Sequence, residues 1–398
     1  MKARRVIAVC CALGLVAAAC GDDDDDAADT TAPAATDAPE ATDAPEATDA
    51  TEDDMSEDDD MSEDDDMSEV PEDWPESIVF GFVPSQEQEQ LQDDIQPFID
   101  VLEEGLGIDV EGVVTTDYTG LVTAMGSGEA DLGAFGPFGY VLGVDNFGNI
   151  EALIQSIRFG SATYHGQWFT NDETVCVEPP VEGTALVNEG GEVVQVDALE
   201  AVALQVGVAF NDDGDKEFSD VAEDGTPIAP GLSCIGDISA TEGEEVAFVS
   251  ESSTSGYLFP ALELTNAGID PQSGVTPVFA GSHDAAVTAV LNGDATFGLS
   301  FDDARRNIRD EQPDVGQNVI VFSITREIPN DVVAVRSDLP ESLKEAVYAT
   351  VEAYLETEEG EEVFDSIYSW TDIRPAVESD FDIVREAAES LGITEPPG

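Results

Sequence analysis

The sequence predicts an α/β fold built from layers of helix on mainly parallel sheet. Three observations carry this. From Ser77 onward, short runs of β-branched and aromatic residues alternate with segments whose apolar residues recur at helical spacing. Gly and Pro mark the joints between them. Hydrophobic residues make up 42% of the chain, enough for a buried core despite a formal net charge of −75. Alternation of this kind lays helices on the faces of parallel sheets. Ligands of such sheets sit at the carboxyl ends of strands, where the following helices begin.

In chain order, Ser77–Pro84 reads as a buried strand. Leu91, Ile95, Phe98, Ile99, Leu102 and Leu106 predict one helix, stopped by Gly107. Asp109–Thr115 is a strand and Tyr118–Ser127 a helix, and Leu132–Phe135 is a strand with a helix after Gly136-Pro137. Glu245–Ser250, Val275–Ala280 and Thr296–Phe301 are strands, interleaved with helices at Gly256–Ala267 and His283–Asn292. Val319–Ile324 and Val332–Arg336 are strands, and Glu341–Leu355 is an amphipathic helix. At 398 residues the chain has the length of two domains.

The segment 170–243 breaks the rhythm, being rich in Gly, Pro, Asp and Glu. It begins and ends near Cys176 and Cys234, which read as a disulfide in an exported chain, with two free thiols as the alternative. Asn211-Asp212-Asp213-Gly214-Asp215 resembles a calcium loop, but Lys216 stands where that motif needs Gly, so the segment reads as a turn.

The N-terminus reads as an export signal. Lys2, Arg4 and Arg5 precede an apolar run, Val6–Leu15, that is too short to span a bilayer. Ala17-Ala18-Ala19 then precede Cys20, as in the signals of bacterial lipoproteins, whose Cys is acylated. Residues 21–73 hold 25 acids and no Lys, Arg or aromatic residue. This segment repeats Thr-Asp-Ala-Pro-Glu-Ala and then Met-Ser-Glu-Asp-Asp-Asp, a composition that cannot bury enough apolar area to order itself. It reads as a tether, and its loose acidic runs lack the turn that fixes a metal site.

From Trp74 onward 63 acids face 10 bases, a net charge of −53. This argues against nucleic acid as a partner, because phosphate backbones are held by Lys and Arg. It also argues against docking on anionic lipid through a basic patch. Self-repulsion keeps such a body soluble at some cost in stability, and a saline habitat is one setting that favours it.

Chemistry concentrates at the strand-to-helix turns. Ser252-Ser253-Thr254-Ser255-Gly256 follows a strand and opens a helix. Successive hydroxyls and free backbone N–H groups there form an anion site without a formal charge. Simple capping by one hydroxyl is the plainer reading.

Four segments together resemble the substrate-binding proteins of phosphonate, phosphite and phosphate ABC transporters: Ser253–Pro260 (STSGYLFP), Ala280–Val287 (AGSHDAAV), Gly136-Pro137 and Ile328-Pro329-Asn330-Asp331. The resemblance covers about residues 77–165 and 244–375. It implies a two-lobed type II periplasmic-binding-protein fold that closes on its ligand by hinge motion. The implied organisation is a signal at 1–19 and an acidic linker at 20–73. One lobe is then formed by 74–165 and 329–398, and a second by 166–328 with an insertion at about 170–243.

Carried over by motif, Ser253, Thr254 and Ser255 would meet the phosphonyl oxygens. Tyr118, Tyr164 and His283 would face the ligand, and Asp331 would accept a hydrogen bond from P–OH or an ammonium. Asp303, beside Asp302, would be the acid for an ammonium-bearing ligand. Each has a plainer reading: packing for Tyr118, a helix cap for His283 and a turn bond for Asp331. His165 reads as structural or surface. The resemblance implies permease and ATPase partners, a lipid anchor and no cofactor. The insertion, longer than the family's usual connection, would cover the cleft or serve a partner.

Two other classes compete. A Ser/His/Asp hydrolase lacks a G-x-S-x-G nucleophile elbow, and two His are too few for a metal enzyme. A tethered sensory or adhesive module on the same fold is the remaining alternative.

Overall fold

The computed structural model describes residues 70–397. The expected signal at 1–19, the acylation site Cys20 and all but the last residues of the acidic linker lie outside them. Among the described residues, no helix is long and apolar enough to cross a membrane.

Two sheets organise the body. The first has six strands in the order Asp372–Pro375, Ile150–Ile157, Val332–Arg336, Leu132–Phe135, Ser77–Phe82, Asp109–Val114. The second has seven: Thr276–Phe279, Glu245–Phe248, Phe297–Phe301, Thr163–Thr170, Ile320–Pro329, Leu232–Ser233, Val181–Glu182. The chain leaves the first sheet after Ile157, enters the second at Thr163, and returns between Pro329 and Val332. Thr163–His165 therefore pair within the second sheet, although the sequence reading set the end of the first lobe at residue 165.

The expectation of mainly parallel sheets is corrected. The βαβ units are parallel, as Ser77–Phe82 is to both its neighbours and Glu245–Phe248 to both of its own. The strands that enter from the other sheet are antiparallel: Thr163–Thr170 to both flanking strands, and Val332–Arg336 to both of its own. Parallel pairing of consecutive strands needs a crossover of a dozen residues or more. A strand arriving through a short link from elsewhere is free of that constraint.

Helix ends follow local chemistry. Tyr118–Ser127 starts where the Asp117 carboxylate accepts the Gly120 N–H and stops at left-handed Gly128. His283–Asn292 is bounded likewise by Ser282 and Gly293. The helix expected across Leu91–Leu106 is two, Gln88–Asp94 and Gln96–Leu106. Pro97 has no N–H to donate to Asp93, so the ladder breaks there. Phe80, Phe98, Leu121, Leu132 and Val347 bury one core against the first sheet, and Trp168, Phe248, Phe297 and Phe322 another against the second.

Residues 170–243 form an irregular insertion of short strands. Cys176 and Cys234 are bonded, with their Cα atoms 5.6 Å apart. The hairpin Thr184–Glu189/Glu192–Asp197 turns at Gly190-Gly191, both at positive φ, which its two-residue loop requires. Asn211–Asp215 is a turn between Ala209–Phe210 and Lys216–Glu217, held by the Asn211 carboxamide oxygen accepting from the Asp213 and Asp215 N–H groups.

Candidate ligand cleft between the sheets

A cavity of about 320 Å³ lies between the carboxyl ends of the two sheets. The hydroxyl segment forms one wall. The Glu245–Phe248 strand ends, and Ser253 caps a π-helical turn, Thr254–Leu258, by accepting the Gly256 N–H at 3.1 Å. Phe259–Asn266 then continues as α-helix, so the helix expected at Gly256–Ala267 begins with a wider turn. A Cβ on Gly256 would lie 2.4 Å from Val249 Cγ2, which is why this chain reversal needs Gly. Ser252, Ser253, Thr254 and Ser255 are all buried.

Thr254 Oγ1 accepts the N–H of Phe138 at 2.9 Å, from the start of the Pro137–Phe147 helix in the other lobe. Its own hydroxyl proton remains free to donate into the cavity it lines. Ser252 Oγ meets Thr119 Oγ1 at 2.9 Å, and the His283 N–H donates to the Ser85 carbonyl at 2.9 Å. Three hydrogen bonds thus join the lobes around the cavity.

The sequence-predicted ligand residues converge here: Tyr118, Tyr164, Ser253, Thr254, Ser255, His283, Asp303 and Asp331 all line the cavity. The Tyr118 hydroxyl is buried and has no partner among the described residues. Burial first, then the neighbouring Tyr368 and Asp331, push its pKa well above 10. Tyr164 is raised by burial and by Asp331, while its bond to Ser255 opposes the shift. Both phenols are therefore neutral donors at physiological pH. His283 Nδ1 lies 2.8 Å from Ser300 Oγ, and its ring stands edge-on to Phe301. Burial, helped by the charge of Arg158, pushes His283 down to about 3, so its imidazole is neutral.

Asp303 also lines the cavity, but its carboxylate is bound to protein groups. Its carboxylate is buried and fully engaged: Oδ1 accepts Arg305 Nε at 2.9 Å, and Oδ2 accepts Arg305 Nη2 at 2.8 Å and the Val206 N–H at 3.0 Å. Burial alone would raise its pKa, but the Arg305 charge and these bonds hold it below the usual carboxylate range. The neighbouring Asp302 turns to His165 instead, accepting its N–H at 3.2 Å and lying 3.7 Å from Nδ1. Burial would lower the pKa of His165, yet Asp302 and Glu327 hold it above its ordinary value.

Sequence reasoning missed Arg158, which also lines the cavity. Its guanidinium forms an ion pair with Asp331 and lies 5.5 Å from the Tyr164 ring centre and 5.7 Å from that of Phe301. Asp331 also accepts Trp370 Nε1 at 3.4 Å. Burial raises the Asp331 pKa, with Arg158 and Trp370 opposing. The site therefore holds a formal cation, where the sequence suggested neutral dipoles alone. The insertion reaches the cavity through Leu204, and its Gln205 and Val208 carbonyls accept from Arg306.

The arrangement is that of a receptor: convergent donors, a shielded cavity and a two-sided closure. Residues 80–381 match the family described as ABC transporter, phosphonate, periplasmic substrate-binding protein. The chain is 27% identical over 238 residues to the phosphate-import protein PhnD of Mycolicibacterium smegmatis, covering 58% of this chain. The alignment spans only 57% of that relative's own length. Among solved structures, PhnD1 of Prochlorococcus marinus, in complex with methylphosphonate, shares the fold with a TM-score of 0.59 at 18% identity, over 80% of this chain and 99% of that one. The binding component of a Pseudomonas aeruginosa ABC phosphonate transporter gives a TM-score of 0.58 at 17% identity, over 80% and 87%. The family is one of binding proteins and not of enzymes. The chain belongs to the periplasmic substrate-binding proteins of phosphonate ABC transporters.

Proposed function

We propose that this protein captures a phosphorus oxyanion — phosphonate, phosphite or phosphate — in the interlobe cleft and delivers it to an ABC permease and its ATPase. One observation carries the reading most: buried hydroxyls of Ser253, Thr254 and Ser255 line the same cavity as the partnerless Tyr118 hydroxyl, which belongs to the opposite lobe. Donors from both lobes around one anion make closure depend on the ligand, and the closed form is what a permease would read. The carboxylate of Asp331 can accept from P–OH but repels a bare oxyanion such as sulfate. In this reading the lobes are 74–165 with 329–398, and 166–328, although Thr163–His165 pair within the sheet of the second. The insertion at about 170–243 would narrow the cleft mouth beside Leu204.

A thermal-shift panel of phosphate, phosphite, methylphosphonate, 2-aminoethylphosphonate and sulfate tests this. Stabilisation by at least one phosphorus compound, with none by sulfate, is expected; no shift with any of them contradicts it.

The anchor in this reading is a lipid on Cys20, placed by the export signal and the small residues before it. The protein would then be exported and held on the outer face of the cytoplasmic membrane. Cys20→Ala should release it from the membrane fraction or block its maturation. Unchanged retention and mass in cell fractionation would refute the anchor.

A further inference from the structure

We infer that Arg158 is the cationic ligand-contact residue of the cleft, kept in place by Asp331 as its counter-ion. The inference rests on the phosphorus-oxyanion reading and adds to it the residue that supplies the charge.

Arg158 immediately follows the Ile150–Ile157 strand, where the chain leaves the first sheet, and Asp331 lies where the chain returns. The Ser156 N–H donates to the Asp331 carbonyl at 3.0 Å, so backbone as well as side chains hold the two crossovers together. A guanidinium has five donors. In Arg158 one end of the fork meets Asp331, while the buried Nε has no partner among the described residues. A buried donor left empty is costly, and the cheapest remedy is an acceptor in the cavity that Arg158 already lines. The partnerless hydroxyl of Tyr118 lines the same space.

The other guanidiniums around the cavity, Arg306 and Arg309, are paired with Asp220. Arg306 donates to Val208 O at 2.9 Å and lies 3.4 Å from Asp220. Arg309 donates to Arg306 O at 2.7 Å and lies 3.3 Å from Asp220, although its Nε, like that of Arg158, has no hydrogen-bond partner among the described residues. Arg158 differs from them in its place: it lies against Tyr164, which bonds Ser255 of the hydroxyl wall, and beside Asp331.

Charge supports the same assignment. A body at −53 repels anions at long range, but that field is screened beyond about 8 Å at physiological salt. A shielded cation inside that range then acts on the ligand directly. Asp331 neutralises Arg158 while the cleft is empty, which makes the cation tolerable when buried. It also orients the planar fork, and Tyr164 and Phe301 pack around it. A phosphorus oxyanion would complete a triad in which Arg158 bridges the ligand and Asp331.

The test is calorimetric titration of methylphosphonate and inorganic phosphate at low and high salt into wild type, Arg158→Lys, Arg158→Gln and the double variant Arg158→Gln/Asp331→Asn. The double variant leaves no unpaired buried charge, so a folding defect cannot stand in for a lost contact. Arg158→Gln and the double variant should each lose about ten- to a hundredfold in affinity, with a flatter dependence on salt. Arg158→Lys should recover part of the loss because it restores charge without the fork. If wild type binds and the double variant binds within about twofold of it, Arg158 is not the contact, and the oxyanion reading stands without it. If wild type binds neither compound nor any other phosphorus oxyanion, both fail.

Discussion

Replacing Thr254 by Val is expected to weaken binding of the phosphorus oxyanion by about 100- to 10,000-fold while leaving the ligand-free fold nearly as stable. Val keeps the shape and deletes two interactions of one hydroxyl. The first is donation to the ligand, a charge-assisted bond of roughly 1.5–3 kcal/mol. The second is acceptance of the Phe138 N–H at 2.9 Å across the lobes. In the closed form that N–H would be buried without a partner, at a further cost of about 1–3 kcal/mol. When the lobes open, water can satisfy it, so the cost falls on the liganded state. Calorimetry with the cognate ligand, beside thermal melts without it, separates the two. Unchanged affinity would show that Thr254 contacts no ligand and does not latch the lobes.

Asp303→Ala is expected to destabilise the fold by about 3–5 kcal/mol while affecting affinity little, the opposite pattern. Arg305 is 1% exposed, donating to Leu232 O at 3.1 Å and Val319 O at 2.8 Å in addition to Asp303. Without Asp303 it is a buried cation with no counter-ion, and the Val206 N–H of the insertion loses its acceptor. The double variant Asp303→Ala/Arg305→Met should recover much of the loss, because the unpaired charge is gone. Since the Asp303 pKa is held below that of an unfolded carboxylate, its contribution is present at neutral pH. It is lost as pH falls through the folded value. Urea denaturation at pH 7 and under acidic conditions measures this. A variant of wild-type stability that no longer binds ligand would return Asp303 to the ligand.

These two residues show what the sequence makes legible. Tyr118–Ser127, His283–Asn292 and Glu341–Leu355 have the ends expected from caps, Gly stops and apolar spacing, because each signal acts within one turn of the helix. The hydroxyl wall, His283 and Asp331 were legible as motif residues, and the structure brings them to one cavity. Strand direction was not legible for Thr163–Thr170 or Val332–Arg336, since an apolar run specifies burial and not the sense of pairing. The choice between Asp302 and Asp303 depends on how one turn points two adjacent side chains. The only hint was the spacing of Asp303 and Arg305, two residues apart. Arg158 carried one overlooked signal, its scarcity: it is one of ten bases in the 325 residues from Trp74 on. The Glu358–Tyr368 and Asp382–Leu391 helices are so rich in charge that their short apolar stripes did not stand out.

The central claim is that this cleft holds a phosphorus oxyanion between its lobes. Calorimetric titration of the wild-type protein with methylphosphonate, phosphite, phosphate and 2-aminoethylphosphonate, each against sulfate at equal ionic strength, tests it most directly. The account predicts saturable binding of one anion per chain for at least one phosphorus compound and no measurable heat of binding for sulfate. Binding of sulfate as tight as that of every phosphorus compound, or no binding of any, would contradict it.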